Sequence, residues 1–452
     1  LATFLHSQPI GRTARTSDVL VLVGQTRPDK IELGKALMRW AETSHWLDDR
    51  YTNVGSEKLP GEWRLGNRPN LVQMHAEASR QVSDDIVEAR LIDEISRQRQ
   101  LSASASALGV KVHTLPDHPN DVKDDGNFHY AILNPSAVSD SGKPSLEARR
   151  FLDETTSSEK PRVYRNAVVL VAPSKDGIEV ARKRVRDYLG WEEVSTELKD
   201  QEGEIDPIRQ QHLVMNLDKA KKRMPDAILQ AYCIVVTISE KNEIQAFKVT
   251  PTEEPLFNTI KADRRSRIQD TAVTADALLP EGPFDLWKEG DKARRVKDLV
   301  GAFAQLPHLP KMLNTAAILD TLVDGCVQGS FVLRLTRPDQ SFRTWWHSRP
   351  DTVALNDPAL EVVLPEAAEL SDIAPSLLTP QTLPELWDNK TVIKVGNVHG
   401  YFAGGKIVKV PREGFEEPVA IPKATAETVD AAIAAAVEDG QLWLVASPAS
   451  IL

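Results

Sequence analysis

Residues 167–172, AVVLVA, form an unbroken apolar run. Side chains alternate between the two faces of a strand, so Val168, Val169, Leu170 and Val171 require cover above and below the sheet. Residues 173–177, PSKDG, follow as turn chemistry with a helix cap. Ile178, Val185 and Leu189 then recur at helical spacing beside Arg182, Lys183, Arg184 and Arg186. The spacing predicts a helix with its three apolar residues turned to the sheet and Arg182, Lys183 and Arg186 outside. A buried strand feeding an amphipathic helix is half of an α/β unit, as in nucleotide-handling sheets. There the loop after the strand carries phosphate-gripping glycines. Here it holds one Gly and no GxxxxGK.

The surrounding pattern extends this unit into an α/β block over residues 77–280. A helix is expected over 86–97, strands over 110–115 and 128–133 with a Pro- and Asp-rich loop between them, and a helix over 143–152. The charged stretch 188–224 reads as helical with a break near 203–207. A second buried strand is expected at 232–239 and an edge strand at 245–249, turned by Lys241 and Asn242. Alternating strands and helices imply a partly parallel sheet. Residues 154–160 read as a mobile loop and the Pro-rich 355–384 as a linker.

Three segments repeat an amphipathic helix, a tight turn and an aromatic-bearing strand: 31–51, 316–335 and 429–445. In the second and third, Asp324–Gly325 and Asp439–Gly440 are placed to stop the helix and start a hairpin. Such a unit reads as the last helix and wing of a winged-helix domain. In the first, the wing strands would be 45–47 and 62–65, around Asn53, Val54 and Gly55. The expected fold is α/β: a winged-helix unit (1–76), a RecA/Rossmann-like block without a phosphate loop (77–280), and winged-helix-like α+β units at 281–350 and, after the linker, within 351–452.

The chain has 452 residues and a net charge of −10, which excludes a surface basic all round and leaves only local patches for nucleic acid. No apolar run reaches the roughly 18 residues of a membrane span. Residues 1–5 lack the basic start of a signal peptide, so a cytoplasmic protein without membrane partners is expected. An opening Leu and a closing stretch that reads as a strand entering a turn are expected of a fragment. Cys233 and Cys326 both lie in apolar surroundings and read as inert buried thiols.

Few constellations carry chemistry. Ser141–Gly142–Lys143–Pro144–Ser145 has Ala where a phosphate loop needs its first Gly, and Pro where it needs Ser or Thr. His113, His118 and His129 lie among Asp117, Asp121, Asp124 and Asp125, without metal-ligand spacing, and read as an acidic surface loop. There is no GxSxG elbow, and no catalytic, cofactor or metal residue is assigned. Two basic clusters, 182–186 and Arg264–Arg265–Arg267, read first as solvated faces. Trp345–Trp346–His347 reads as core, with base stacking as its competitor. On the first unit's helix, Lys30, Lys35 and Arg39 are expected to share a side away from Leu33 and Leu37 and to contact phosphates.

Several stretches together resemble a known family: WRLGNRPNL at 63–71, DDGNFHYAIL at 124–133, residues 164–191, LWK at 286–288 and QLWLVASPASIL at 441–452. They look like the C-terminal part of large prokaryotic AAA+-like ATPases filed as domain of unknown function 499. These are often encoded beside DNA methyltransferases and helicases in phage-defence islands, and some carry a HEPN-type domain. The resemblance implies that ATP and Mg bind upstream of this segment. It also implies a DNA-contacting or partner-binding role here, with methyltransferase, helicase or like subunits as partners. Arg68 and Arg165 then stand as candidate arginines reaching a neighbouring subunit's γ-phosphate, or as structural arginines bonded to carbonyls. The competing readings are a protein-binding scaffold without nucleic-acid contact and a degenerate nucleotide-binding or nuclease-like α/β domain.

Overall fold

The computed structural model describes residues 12–26, 29–44, 46–48, 59–66, 69–200, 206–412 and 415–445, together with Thr3. The first unit contains β1 (Ala14–Arg15), α1 (Thr16–Gly24), α2 (Lys30–Thr43) and β2 (Glu62–Trp63). β2 runs antiparallel to β1. Just beyond it, Leu65 bridges Leu47, and the Asp48 and Gly66 amides donate across this pair at 2.9 and 2.7 Å. Asp29 caps α2 by accepting the Ile31 and Glu32 amides. Leu33 and Leu37 are buried against Val19, Leu47 and Trp63, and Trp40 stacks on Trp63 at 5.1 Å. His45 and the expected turn at Asn53–Gly55 lie outside the described residues.

Three helices follow, α3 (Leu71–Gln81), α4 (Asp84–Arg97) and α5 (Arg99–Ala107), and then the α/β block. Its elements are β3 (Lys111–Thr114), β4 (His129–Ile132), α6 (Leu146–Asp153), β5 (Val168–Ala172), α7 (Lys175–Asp200), α8 (Pro207–Ala231), β6 (Ile234–Ile238), β7 (Ile244–Lys248) and α9 (Leu256–Ala262). The strands lie side by side in chain order, β3-β4-β5-β6-β7. The first three are parallel, and β6 and β7 are each antiparallel to their predecessor. The sheet is therefore α/β and partly parallel, as expected. It departs from the RecA/Rossmann order, in which strand order reverses at a switch point and opens a ligand crevice. The reason is local: two helices, α7 and α8, connect β5 to β6, and an even number of helical reversals returns the chain antiparallel.

Both faces of β5 are covered. Val169 and Val171 join Tyr130, Ile132 and residues of α3, α7, α8 and α9 in one core. Val168, Leu170 and Ala172 join Ala131, Leu133 and the Ala148, Phe151 and Leu152 face of α6 in another. Ile178 and Val185 are buried beneath α7 as the spacing predicts, but Leu189 is only half-buried, and Tyr188 and Trp191 take the next inward positions. The basic stripe of α7 is not free either. Arg182 bonds Glu88 at 2.9 Å and Glu179 at 2.8 Å, and Arg186 pairs with Asp84, so α4 lies on that side; Lys183 is exposed. α3 crosses α7 at Gly190, where an added Cβ would sit 2.1 Å from Ser79 Oγ.

The C-terminal half contains β8 (Ile268–Gln269), β9 (Ala293–Arg295), α10 (Val296–Gln305), β10 (Lys311–Met312), α11 (Ala316–Val327), β11 (Val332–Thr336), β12 (Phe342–Trp345) and β13 (Leu360–Val363). β14 (Glu369–Leu370), α12 (Val395–Tyr401), β15 (Ile407–Arg412), β16 (Phe415–Ala420), β17 (Lys423–Ala424) and α13 (Ala426–Glu438) complete it. The stretch expected as a linker is structural. Leu360, Val362, Val363, Leu370, Ile373, Leu377, Leu378 and Leu383 are buried. β13 is an interior strand of the sheet β12-β11-β13-β9, so the 350/351 boundary cuts through one sheet. Prolines flank these apolar residues without interrupting β13, which is why composition misleads here. The third expected unit is also corrected: residues 441–445 form no strand, and the β15–β16 hairpin precedes α13 instead of following it.

Two halves of this region repeat one plan. Trp287 donates its indole N–H to the Leu278 carbonyl at 2.8 Å and Trp387 does so to Leu378 at 3.0 Å. β10 pairs in parallel with β8, and β17 in parallel with β14, each pair bringing in a lysine, Lys311 or Lys423. α11 and α13 end alike: Gly329 and Gly440 have φ of 86° and 69°, and the next amide (Ser330, Gln441) reaches back to Gly325 or Ala436. Truncating Leu170 to Ala should cost about 2–5 kcal/mol from lost burial and cavity formation. Lys183→Ala should stay within about 0.5 kcal/mol, because that side chain is exposed. Denaturant melts read both; equal stabilities would mean that β5 is not the centre of the block.

Candidate functional site

Lys30, Lys35 and Arg39 are all exposed on α2, whose Leu33 and Leu37 face the small core. Helical geometry separates them unequally. At 3.6 residues per turn, Lys35 and Arg39 lie about 40° apart, whereas Lys30 is about 140° round from Lys35. The expectation that all three share one side is therefore corrected: two do, and Lys30 stands apart at the capped N-terminus.

Arg68 lies outside the described residues. Arg165 is held within the chain: it bonds Asn242 Oδ1 at 2.9 Å and the Leu152 carbonyl at 3.4 Å, and pairs with Asp153. An arginine acting on a neighbour's phosphate needs a guanidinium that can leave its own subunit, and this one is engaged. Two of the three arginines at 264–267 are similarly engaged. Arg265 pairs with Asp263 over the Phe247 ring, and Arg267 donates to the Pro307 and Leu309 carbonyls; Arg264 is exposed. Trp345 and Trp346 are buried, so the aromatic run belongs to the core.

Three amides of the 141–145 turn are occupied. Gly142 donates to the Ala246 carbonyl, Lys143 to Asp140, and Ser145 to Ser139 Oγ, while the Ser145 hydroxyl caps α6. A phosphate loop needs those donors converging on open space. Cys233 and Cys326 are both free and buried, and burial pushes the Cys326 thiol up to about 12, against backbone hydrogen bonds that lower it.

The histidine-rich loop divides into two groups. Asp121 accepts the Asp117 and His118 amides and closes a turn, and Asp124 accepts the Val163 and Tyr164 amides. Asp125, His129 and His113 instead form a chain: His129 Nε2 meets Asp125 at 2.9 Å, and His129 Nδ1 meets His113 Nε2 at 2.9 Å. Burial alone would raise the Asp125 carboxyl. Hydrogen bonds from His129 and Asn127 outweigh it and bring the group down to about 2. Burial, then the neighbouring His129 and Arg162, lower His113. Among the described residues no group of three or more His, Cys, Asp or Glu could hold a metal ion.

Two residues that the sequence reading passed over organise this region. The Arg162 side chain is buried and donates to the carbonyls of Phe151, Lys123, Pro119, Val122 and Glu154, so one guanidinium shapes the loop between β3 and β4. Lys311 is buried with no carboxylate. Its ammonium donates to Asn166 Oδ1 at 2.7 Å and to the Ile238 carbonyl at 2.9 Å, and Asn166 donates to the Phe303 and Leu309 carbonyls. This knot ties the α/β block to the first C-terminal repeat. Nothing in the local sequence marks either residue as special: each is a lone cation beside proline.

No family model, curated protein or solved structure matches the chain. What remains as a site is an exposed cationic face on α2, beside the β1–β2 pair and the Leu47–Leu65 bridge. No helix of the described residues is long and apolar enough to cross a membrane.

Burial, with nearby Arg267, lowers the Lys311 ammonium from 10.5 to about 7. The unfolded chain holds this proton more tightly than the folded one, so stability should rise with pH from about 7 to about 10.5 and be level below that window. Thermal melts across pH 6–11 should show the rise in the native chain. Lys311→Met should abolish it while leaving other alkaline effects in place.

Proposed function

We propose that this chain is the C-terminal nucleic-acid- and partner-contacting region of an ATP-dependent, phage-defence or DNA-modification-associated AAA+-like ATPase, of the family filed as domain of unknown function 499. In this reading the first unit is a winged helix and α2 is its recognition helix. Lys35 and Arg39 contact phosphates, and Lys30 supplies a flanking contact. The observation that carries the reading is the exposure of Lys35 and Arg39 on a helix whose Leu33 and Leu37 side is buried. DNA is the proposed ligand. Methyltransferase or helicase subunits and a homo-oligomeric assembly are the proposed partners, and the cytoplasm is the proposed compartment.

Each phosphate contact released should reduce the salt slope of duplex affinity by about 0.9. Anisotropy titrations with a DNA duplex at several salt concentrations should therefore show a slope lower by about 1.8 in a Lys35→Ala/Arg39→Ala variant. The further loss on adding Lys30→Ala should be smaller. Unchanged affinity and slope would refute the assignment of α2.

ATP hydrolysis is assigned to sequence upstream of this region, with Mg bound there. Purified chain should show no ATP turnover above buffer, because the Gly142, Lys143 and Ser145 amides are already bonded within the chain and residue 144 is proline. A measured turnover abolished by Lys143→Ala would overturn this.

A second reading, a protein-binding scaffold, is favoured by one feature: Val21, Leu22 and Ile31 are exposed apolar residues on the same small unit. A duplex titration that fails, with a native partner bound through these residues, would select it.

A further inference from the structure

One difference between the two C-terminal repeats concerns a sheet. In the first, β13 is inserted between β9 and β11 and is antiparallel to both. Its rows are Ala293–Val363–Val332, Arg294–Val362–Leu333 and Arg295–Glu361–Arg334, and Arg334 bonds Glu361 at 2.7 Å. Counting from α10 and α12, which begin at equivalent points, the counterparts of β9 are Val392, Ile393 and Lys394. Counting from Gly329 and Gly440, the counterparts of Val332, Leu333 and Arg334 are Trp443, Leu444 and Val445. Ile393 and Leu442 anchor both segments on the same core. Beyond those anchors the segments are open: Val392 is 72% exposed, Trp443 87%, Leu444 65% and Val445 75%. Among the described residues neither segment is paired in a sheet.

We propose that residues 392–394 and 442–445 are a strand-acceptor site that takes one extended segment of another polypeptide, antiparallel to both. The first repeat specifies the chemistry. The inserted strand should present apolar residues to the Val392/Trp443 and Ile393/Leu444 rows and a carboxylate to Lys394, which occupies the place of Arg295 opposite Glu361. β13 also shows that the inserted strand is separable from the repeated plan, because it lies in the connection between the repeats and not within either. Main-chain hydrogen bonds to the two open segments supply affinity, and the alternating side chains supply selectivity. An exposed apolar segment with strand composition left unpaired would be an aggregation hazard, which an occupant removes.

The probe is a synthetic peptide carrying this chain's own 358–365 sequence, PALEVVLP, added to the whole chain. Hydrogen exchange should show saturable protection at both 392–394 and 442–445. Changing the peptide's Glu to Lys should weaken binding about 2- to 5-fold, the range of an exposed ion pair, and Lys394→Glu should restore it. Leu444→Pro should abolish protection at both segments, since it removes an amide donor at an exposed position where the core is not disturbed. The proposal fails if neither segment is protected, if only one is, or if binding ignores charge reversal and Leu444→Pro. It also fails if the chain protects these segments by itself in a concentration-dependent way, because the occupant would then be a second copy.

Discussion

Five consecutive apolar residues in β5 require cover on both sides, and most of the molecule is arranged to provide it. One face is roofed by the α7–α8 hairpin with α3 and α9 against it; the other is closed by α6. The 3₁₀ turn that enters β5 carries Asn166, which bonds the Lys311 ammonium and two carbonyls at the end of α10. The strand that organises the block therefore also anchors the first C-terminal repeat. In turn the sheet β12-β11-β13-β9 acts as a shared wall: Leu333, Leu360 and Val362 face the first repeat's core, while Val332, Val363 and Trp346 face the second's.

Charge is used mainly for internal assembly. Arg182 and Arg186 hold α4, Arg165 joins Asp153 to the β6–β7 turn, Arg162 fills the β3–β4 loop, and Arg267 caps carbonyls after α10. Partly or fully buried guanidiniums suit this because one planar fork satisfies several carbonyls at once. A net charge of −10 also disfavours long-range attraction of a polyanion. Any nucleic-acid affinity would then rest on a small local face and fall steeply with salt.

The parts of the fold legible in the sequence were those written as periodicity. β3, β4, β5, β6 and β7, the start of α8 at Pro207, and the turn at Asn242 all fall where apolar runs and turn residues place them. The errors have identifiable causes. Proline around 355–384 suggested a linker, yet Leu360, Val362 and Val363 sit in the middle of a sheet whose other strands come from elsewhere in the chain. Residues 442–445 have strand composition but pair with no strand among the described residues, and composition cannot supply one. The basic stripe of α7 looked solvent-facing because the acidic stripe that meets it lies about a hundred residues earlier, on α4. The site was less legible than the fold. Exposure of Lys35 and Arg39 follows from helical spacing, whereas the Asp125–His129–His113 chain and the Lys311 knot depend on neighbours that no short pattern contains.

The central sheet lays its strands down in the order in which they are translated. Each new strand adds to an edge that already exists, so no earlier strand must wait for a later one to be threaded beside it. Loop-closure entropy is then met in small steps, which favours growth of the sheet from one side as the chain emerges from the ribosome. β5 is the point at which such growth must stall, because its outer neighbour β6 arrives only after the whole α7–α8 hairpin. During that interval an apolar edge stands open, and the early helix α7 can shield one face of it but not the edge itself.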